Sequence, residues 1–440
     1  DWDCGKNVDR IIDDIQKQQG VAYAPEQRRA VALAAERGVL LLTGGPGTGK
    51  TTSVRGIVTL FERMGLDTVL LAPTGRAAQR MSQLCGKEAQ TIHRCLGMSW
   101  NELTGEVTFR KNEKEPLEAD AVIVDEMSMV DLELMASLLR AMRPGCRLVM
   151  VGDPDQLPSV GAGNVLGDLL RSSVVPAVSL TEIFRQAEKS AIIRNAHAVN
   201  TGRPPELKNT QNDFFFLCRR APDRLVQTVV ELCQQRLPDN MGIPADQIQV
   251  LSPTRKGVCG TVNLNRALQA ALNPPAAGKH QKPWGDMVFR EGDRVMQTRN
   301  NYDVVWEKDD GSMGAGIFNG DVGVIREIDP SGELITIQFD DRTCVYTADL
   351  LNQLDMAYAM TVHKAQGSEY RCVVLVSAAV APALMVRGVL YTAITRAREL
   401  LVLVGDDVTP GQMAANDRQQ RRYSGLRRRL REEAMSHGLQ

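Results

Sequence analysis

At 440 residues, 43% hydrophobic and 24% charged, the chain has the composition of a globular protein of two to four domains, which excludes wholesale disorder. A net charge of −1 excludes a uniformly basic nucleic-acid binder, so a grip on phosphates must come from hydroxyls, backbone amides and a few local cations. Nine cysteines with no Cys-x-x-Cys pair and only five histidines suggest neither a zinc cluster nor a disulfide framework and fit a reducing, cytoplasmic setting, while the longest apolar run, 372–386, is broken by Ser377 and Pro382 and is too short for a membrane span.

The chain opens at Asp1 with no Met and no signal-like segment, as expected of a piece of a longer protein, and residues 1–20 read as an N-terminal helical remnant or linker. From 21 to 180, short apolar runs at 39–42, 68–71, 121–124 and 148–151 alternate with helical stretches, the pattern of a parallel sheet covered on both faces. Directly after the first run stands Gly44-Gly45-Pro46-Gly47-Thr48-Gly49-Lys50-Thr51, leading through Thr52 into a helical stretch to residue 64. That is the context of a P-loop, in which glycines let backbone N–H groups wrap phosphates and the helix N-terminus adds positive potential. Lys50 is expected on the β- and γ-phosphates of ATP, and Thr51 on Mg²⁺.

Residues 94–124, between His93 and Asp125, hold Trp100 to Phe109, two short strands around Thr104-Gly105 that make a projecting hairpin within 96–118. Asp125-Glu126 ends the 121–124 run. A strand-end acidic pair alone is more often a solvated loop, but below a P-loop Asp125 is expected to hold Mg²⁺ and Glu126 to polarise the attacking water. Gln156, after Gly152-Asp153-Pro154-Asp155, suits a γ-phosphate sensor.

Three phrases then return in the same order. Leu71-Ala72-Pro73-Thr74 recurs as Leu251-Ser252-Pro253-Thr254, Thr91-Ile92-His93-Arg94 as Thr361-Val362-His363-Lys364, and the run ending Gly152-Asp153 as one ending Gly405-Asp406. This is a duplicated domain in which one copy kept the nucleotide chemistry, since Val376 and Ser377 stand where the acidic pair would be. The second copy is expected over 181–285 and 350–415. Thr74 to Thr91 spans 17 residues and Thr254 to Thr361 spans 107, an excess of 90. Inside it, short β runs at 321–325, 334–339 and 343–346, separated by tight turns, make a meander, most simply an SH3-like barrel over 286–349. Residues 416–440 form a basic helical tail, read as solvated at least as readily as functional.

Each Pro-Thr and Thr-x-His turn falls past a strand's carboxyl end, the rim where open α/β sheets bind ligands. Hydroxyls and amides there suit sugar–phosphate oxygens without reading bases, although such turns singly often just cap helices. Paired on two copies, they describe a track for one strand. Hydrolysis also requires charge stabilisation from outside the P-loop domain. Arg185, at the start of the second copy, and Arg396, before its last strand, are placed for this, with a surface salt bridge as the plain alternative.

The P-loop, Val124-Asp125-Glu126-Met127-Ser128, Gly152-Asp153-Pro154-Asp155-Gln156, Thr361 to Glu369 and Tyr391-Thr392-Ala393-Ile394-Thr395-Arg396-Ala397 together resemble superfamily 1 DNA helicases of the RecD/TraA type, over nearly the whole chain and in that family's order. The resemblance implies an α/β fold of two tandem RecA-like P-loop domains with parallel sheets, a β-hairpin insertion in the first and an SH3-like β-barrel insertion in the second. It implies an ATP- and Mg²⁺-dependent helicase moving 5′→3′ on single-stranded DNA and opening duplex forks, in a cytoplasmic monomer with DNA-repair partners. By motif position it implies Gln27 reading adenine, Phe184 beside the base, Gly367 and Glu369 contacting nucleotide, and Arg185 and Arg396 as arginine fingers. Pro73, Thr74, Thr91, His93, Pro253, Thr254, Thr361 and His363 line the DNA path. Rivals of other classes are a nucleotide switch or scaffold subunit, whose turnover DNA would not stimulate, and a nuclease subunit, disfavoured because no further acidic cluster is evident. RNA is set aside only by analogy.

Overall fold

In a computed structural model that describes residues 8–100, 107–209, 212–378, 380–418, 422 and 424–438, the chain divides into two compact units, residues 1–193 with 419–440, and residues 194–418. Strands of the first unit are β1 (Val39–Gly44), β2 (Thr68–Ala72), β3 (Ala89–Thr91), β4 (Met98–Trp100), β5 (Val107–Phe109), β6 (Ala121–Val124), β7 (Arg147–Gly152) and β8 (Ala177–Leu180). Six of them make one parallel sheet in the order β3-β2-β6-β7-β1-β8. The apolar runs of the four inner strands β1, β2, β6 and β7 follow from burial of both faces, whereas the edge strand β8 alternates exposed and buried residues. Leu40, Leu42, Ile123, Val149 and Val151 enter one core, while Leu41, Val122, Val124, Leu148 and Met150 enter the other, as the two-residue strand period requires. The remaining pair, β4 and β5, is the expected antiparallel hairpin, with Met98 opposite Phe109; its tip at 101–106 lies outside the described residues.

Both ends of the chain depart from expectation. The helix Val8–Gln19 is no loose remnant: Ile12 and Ile15 are fully buried in the first core, each such side chain stabilising by about 1.5–3 kcal/mol. Arg28 ties that helix down through Asp9 (2.9 Å) and Asp13 (2.6 Å). The tail helix Leu426–Ser436 is likewise not solvated all round. Leu426 and Leu430 pack on the second core, Ser424 donates to Asp168 (2.7 Å), and Arg431 caps the helix Val165–Ser172 through the carbonyls of Ser172 and Arg171.

Strands of the second unit are β9 (Phe214–Cys218), β10 (Ile248–Ser252), β11 (Gln281–Trp284), β12 (Met287–Arg290), β13 (Arg294–Gln297), β14 (Asn301–Lys308), β15 (Met313–Ile317), β16 (Val322–Ile328), β17 (Leu334–Phe339), β18 (Arg342–Thr347), β19 (Leu354–Met356), β20 (Ala359–Thr361), β21 (Tyr370–Ser377) and β22 (Ala397–Gly405). Five form a parallel sheet in the order β20-β10-β21-β22-β9. This repeats the order of the first sheet apart from its edge strand β8: β10 and β20 correspond to β2 and β3, β21 and β22 to β6 and β7. Strand β9, which the repeated phrases do not reveal, takes the place of β1.

The insertion is a seven-stranded antiparallel sheet, β15-β14-β18-β17-β16-β13-β19, closed over its own core of Phe289, Ile325, Ile337, Phe339 and Tyr346. The meander at 321–346 forms as its turn residues predict. Asp329 accepts from the backbone N–H of Glu333 and Leu334, and Asp340 takes the left-handed conformation at φ 51°. Beneath the insertion, the buried Asp293 carboxylate accepts from Gln269, Asn273 and Tyr358, side chains on both sides of the junction with the parallel sheet. No described helix is long and apolar enough to cross a membrane.

Candidate nucleotide and single-strand sites

The turn after β1 is closed by its own side chains. Thr48, buried, donates to the Gly45 carbonyl at 2.8 Å, and the Lys50 ammonium donates to the Gly44 carbonyl. Gly47 and Gly49 are left-handed, at φ 75° and 80°. A Cβ on Gly49 would lie 2.2 Å from the Gln27 amide and 2.7 Å from the Phe184 ring, so glycine is needed for crowding as well as conformation. Gln27 and Phe184 therefore both reach the P-loop. The Gln27 amide donates to the Gly49 carbonyl (3.1 Å) and accepts from Ala24 N–H (2.9 Å) at the start of the helix Pro25–Glu36.

Asp125 and Glu126 follow β6, two places from β1 in the sheet, with β7 between them. The end of β7 is crowded: a Cβ on Gly152 would meet Leu166 at 2.9 Å and Met127 at 3.2 Å. Glu126 is held left-handed at φ 54°, ψ 42°, an outlier that for a non-glycine residue costs about 1–3 kcal/mol and clusters at functional positions. Its N–H donates to the Asp125 carboxylate at 2.7 Å. Burial first, and then the Glu126 charge, push the Asp125 carboxyl up to about 6, against the pull of Lys50 and Arg80. Arg80 is a contributor that sequence reasoning did not single out; no motif marks it, since it acts from the helix Gly75–Cys85 through space. Thr51 and Asp125 offer a hydroxyl and a carboxylate, hard donors of the kind Mg²⁺ takes when phosphates and waters complete its octahedron. A carboxylate whose ionised form is disfavoured by burial fits that role, because a cation relieves the conflict.

Gln156 is 7% exposed and its Oε1 has no partner among the described residues, the condition of an acceptor held for something outside the chain. Arg185 opens the short helix Arg185–Glu188; its side chain lies outside the described residues. The expectation that it begins the second copy needs correction. Strand β8 pairs with β1, and the segment after it turns back over the P-loop, with Ala187 and Ile193 against Gly47. Arg185 thus belongs to the unit that carries the P-loop. Arg396 lies in the other unit, 2% exposed, with its guanidinium on the carbonyls of Thr392 (3.1 Å) and Ser368 (2.9 Å) and on the Thr395 hydroxyl (3.2 Å). It grips the segment that carries Gly367, left-handed at φ 72°, and Glu369.

The repeated turns occupy equivalent rims. Thr74, after Pro73, and Thr91 each cap a helix, accepting from Ala77 N–H (3.3 Å) and Arg94 N–H (3.1 Å); Thr361 accepts from Lys364 N–H at 3.4 Å. Capping uses a hydroxyl lone pair and leaves the O–H proton to donate to a phosphate oxygen, so the two readings of these threonines coexist. Thr254, after Pro253, is different: its hydroxyl donates to the Lys256 carbonyl at 3.4 Å. Burial lowers the pKa of both His93 and His363. The His93 ring is 6.2 Å from Phe109 of the hairpin, tying that element to the rim.

Family models match along the chain: an AAA domain over residues 22–215, the SH3 domain of ATP-dependent RecD-like DNA helicases over 264–339, and a UvrD-like helicase C-terminal domain over 356–404. The RecBCD enzyme subunit RecD of Mycobacterium tuberculosis is 33% identical over 442 residues, covering 92% of this chain and 73% of that protein. The chain belongs to the RecD-like helicase family. The ATP-dependent RecD2 DNA helicase of Deinococcus radiodurans is 36% identical over 95% of this RecD-like chain, which spans only 54% of its length. Among solved structures, the Pif1 helicase from Bacteroides in complex with ADP-AlF3 and single-stranded DNA has the same fold, at a TM-score of 0.53 and 18% identity over 95% of this chain and 99% of that one.

Proposed function

We propose that the chain is an ATP- and Mg²⁺-dependent helicase that moves 5′→3′ along single-stranded DNA and opens duplex forks. The observation that carries this reading is a duplicated parallel sheet in which the first copy alone has the P-loop and acidic pair, while both copies present Pro-Thr and Thr-x-His turns at the same rim.

On this reading Lys50 exchanges the Gly44 carbonyl for the β- and γ-phosphates, with loop amides from Gly45 to Thr52 around them. Thr51 and Asp125 hold Mg²⁺, which when bound neutralises charge on those oxygens. Glu126 accepts a proton from the attacking water, and Gln156 senses the γ-phosphate. Gln27 and Phe184 hold the adenine. Arg185 supports the γ-phosphoryl group from the P-loop's own unit, and Arg396 from the other, giving up its bond to the Ser368 carbonyl so that Gly367 and Glu369 move with the nucleotide state. Thr74, Thr91 and His93 on one rim, and Thr254, Thr361 and His363 on the other, alternate the tighter grip on the strand.

Strand displacement on 5′-tailed against 3′-tailed duplexes tests activity and direction together. Unwinding of the 5′-tailed substrate alone is expected; preference for the 3′ tail overturns the polarity, and ATP turnover unchanged by single-stranded DNA overturns the helicase reading.

A further inference from the structure

The second sheet has kept a cavity where the first has its P-loop. Because β9 stands beside β22 as β1 stands beside β7, the turn after β9 and the ten-residue helix Pro222–Glu231 take the place of the P-loop and its helix. A cavity of about 360 Å³ opens there, among the ends of β9, β10, β21 and β22. Its mouth is cationic. Arg219 is braced by the Thr228 hydroxyl (2.8 Å) and Cys218 carbonyl (2.7 Å), Arg220 is paired with Asp407 (2.9 Å), and Lys256 is exposed. Among the described residues of the wall the one acidic side chain, Asp406, is committed to capping, accepting from the N–H of Val408 and Thr409 and from the Thr409 hydroxyl. Pro222, Leu225 and Ala378 line the cavity with apolar surface. Also on its wall is Ser377, 3% exposed, whose Oγ has no partner among the described residues.

We propose that this cavity binds one nucleotide unit, its base against the apolar wall with the Ser377 hydroxyl on an edge atom, and its phosphate at Arg219, Arg220 and Lys256. An apolar slot with a few convergent polar groups is how planar ligands are held, and a helix N-terminus flanked by cations suits phosphate. The unit comes either from a free nucleotide or from the tracked strand, because Thr254 stands at the lip. Only the second source rests on the function proposed above.

Lys256→Ala and Ala378→Leu, which fills the slot, test it in the whole chain. Equilibrium dialysis with saturating ATP counts nucleotides per chain, and oligo-dT bearing a single 2-aminopurine at successive positions reports a base entering the cavity. For a free nucleotide, a second ATP binds the unsubstituted chain and is lost in both variants. For the strand, one ATP binds, one 2-aminopurine position changes emission, and both variants bind oligo-dT at least about threefold more weakly. A single ATP per chain, with no position-dependent emission and oligo-dT affinity unchanged in the variants, overturns the proposal. If that occurs while single-stranded DNA stimulates the unsubstituted chain, only the cavity is refuted; if oligo-dT does not bind at all, the helicase reading falls with it. Should Ala378→Leu fail to fold, the exposed Lys256 position decides.

Discussion

Asp125 holds the sharpest conflict between stability and chemistry in the first unit. Its carboxyl is pushed from 3.8 to about 6 by burial and by Glu126, so its contribution to stability is full below the unfolded value and is lost as pH rises through about 6. At about pH 7 the nucleotide-free protein therefore carries a disfavoured charge, and Asp125→Asn is expected to stabilise it by on the order of 1–2 kcal/mol, after allowing for solvent screening. Thermal unfolding without nucleotide measures this, and the same variant should lose the Mg²⁺ dependence of ATP binding. Its neighbours separate binding from chemistry. Lys50→Ala is expected to abolish turnover and weaken ATP binding, whereas Glu126→Gln should bind ATP normally and turn it over at least about 100-fold more slowly. Normal turnover in Glu126→Gln removes that residue as the base.

At the level of elements, the hairpin and the tail are attached in different ways. The strands β4 and β5 form a separate two-stranded sheet, and Phe109 joins the hairpin to its unit by packing on the second core and beside His93, so replacing 98–109 by a short turn should leave DNA-stimulated ATP turnover in place while unwinding falls. Equal loss of both excludes a role at the fork. The tail helix is part of a core: ending the chain at 418 removes Leu426, Leu430 and the Arg431 cap, and should cost the first unit roughly 2–4 kcal/mol, read as a lower unfolding midpoint. The rim turns act at the same scale. Thr254→Ala and Thr361→Ala should weaken strand binding for all base sequences and flatten the salt dependence by about 0.7 in log–log slope for each phosphate no longer held.

For the molecule as a whole, one half-buried histidine on each rim makes stability depend on pH in the same sense. Burial holds His93 and His363 below the ordinary 6.5, so the stability they contribute is present above that value and is lost as pH falls through the folded values. Urea midpoints should therefore drop between about pH 7 and 5.5, and drop less in His93→Gln with His363→Gln. Two units that repeat one topology, with the P-loop and acidic pair in only one, also mean that point changes at the P-loop and at the rims should separate turnover from strand binding.

Chemistry carried by contiguous residues was legible in the linear sequence. Glycines spaced for phosphate, a carboxylate pair ending a strand, and three phrases repeated in order each encode a local backbone geometry, and local geometry survives in a linear pattern. The hairpin and the meander were legible for the same reason, since turn residues set them. Features resting on distant contacts were not: β9 standing in for β1, the first helix burying Ile12 and Ile15, the tail completing a core, Arg185 folding back to its own P-loop, and the guanidinium of Arg396 turned onto Ser368. Which surface an apolar stripe covers, and which carbonyl an arginine finds, depends on what the rest of the chain brings alongside, and that is decided only when the sheets and their covering helices assemble.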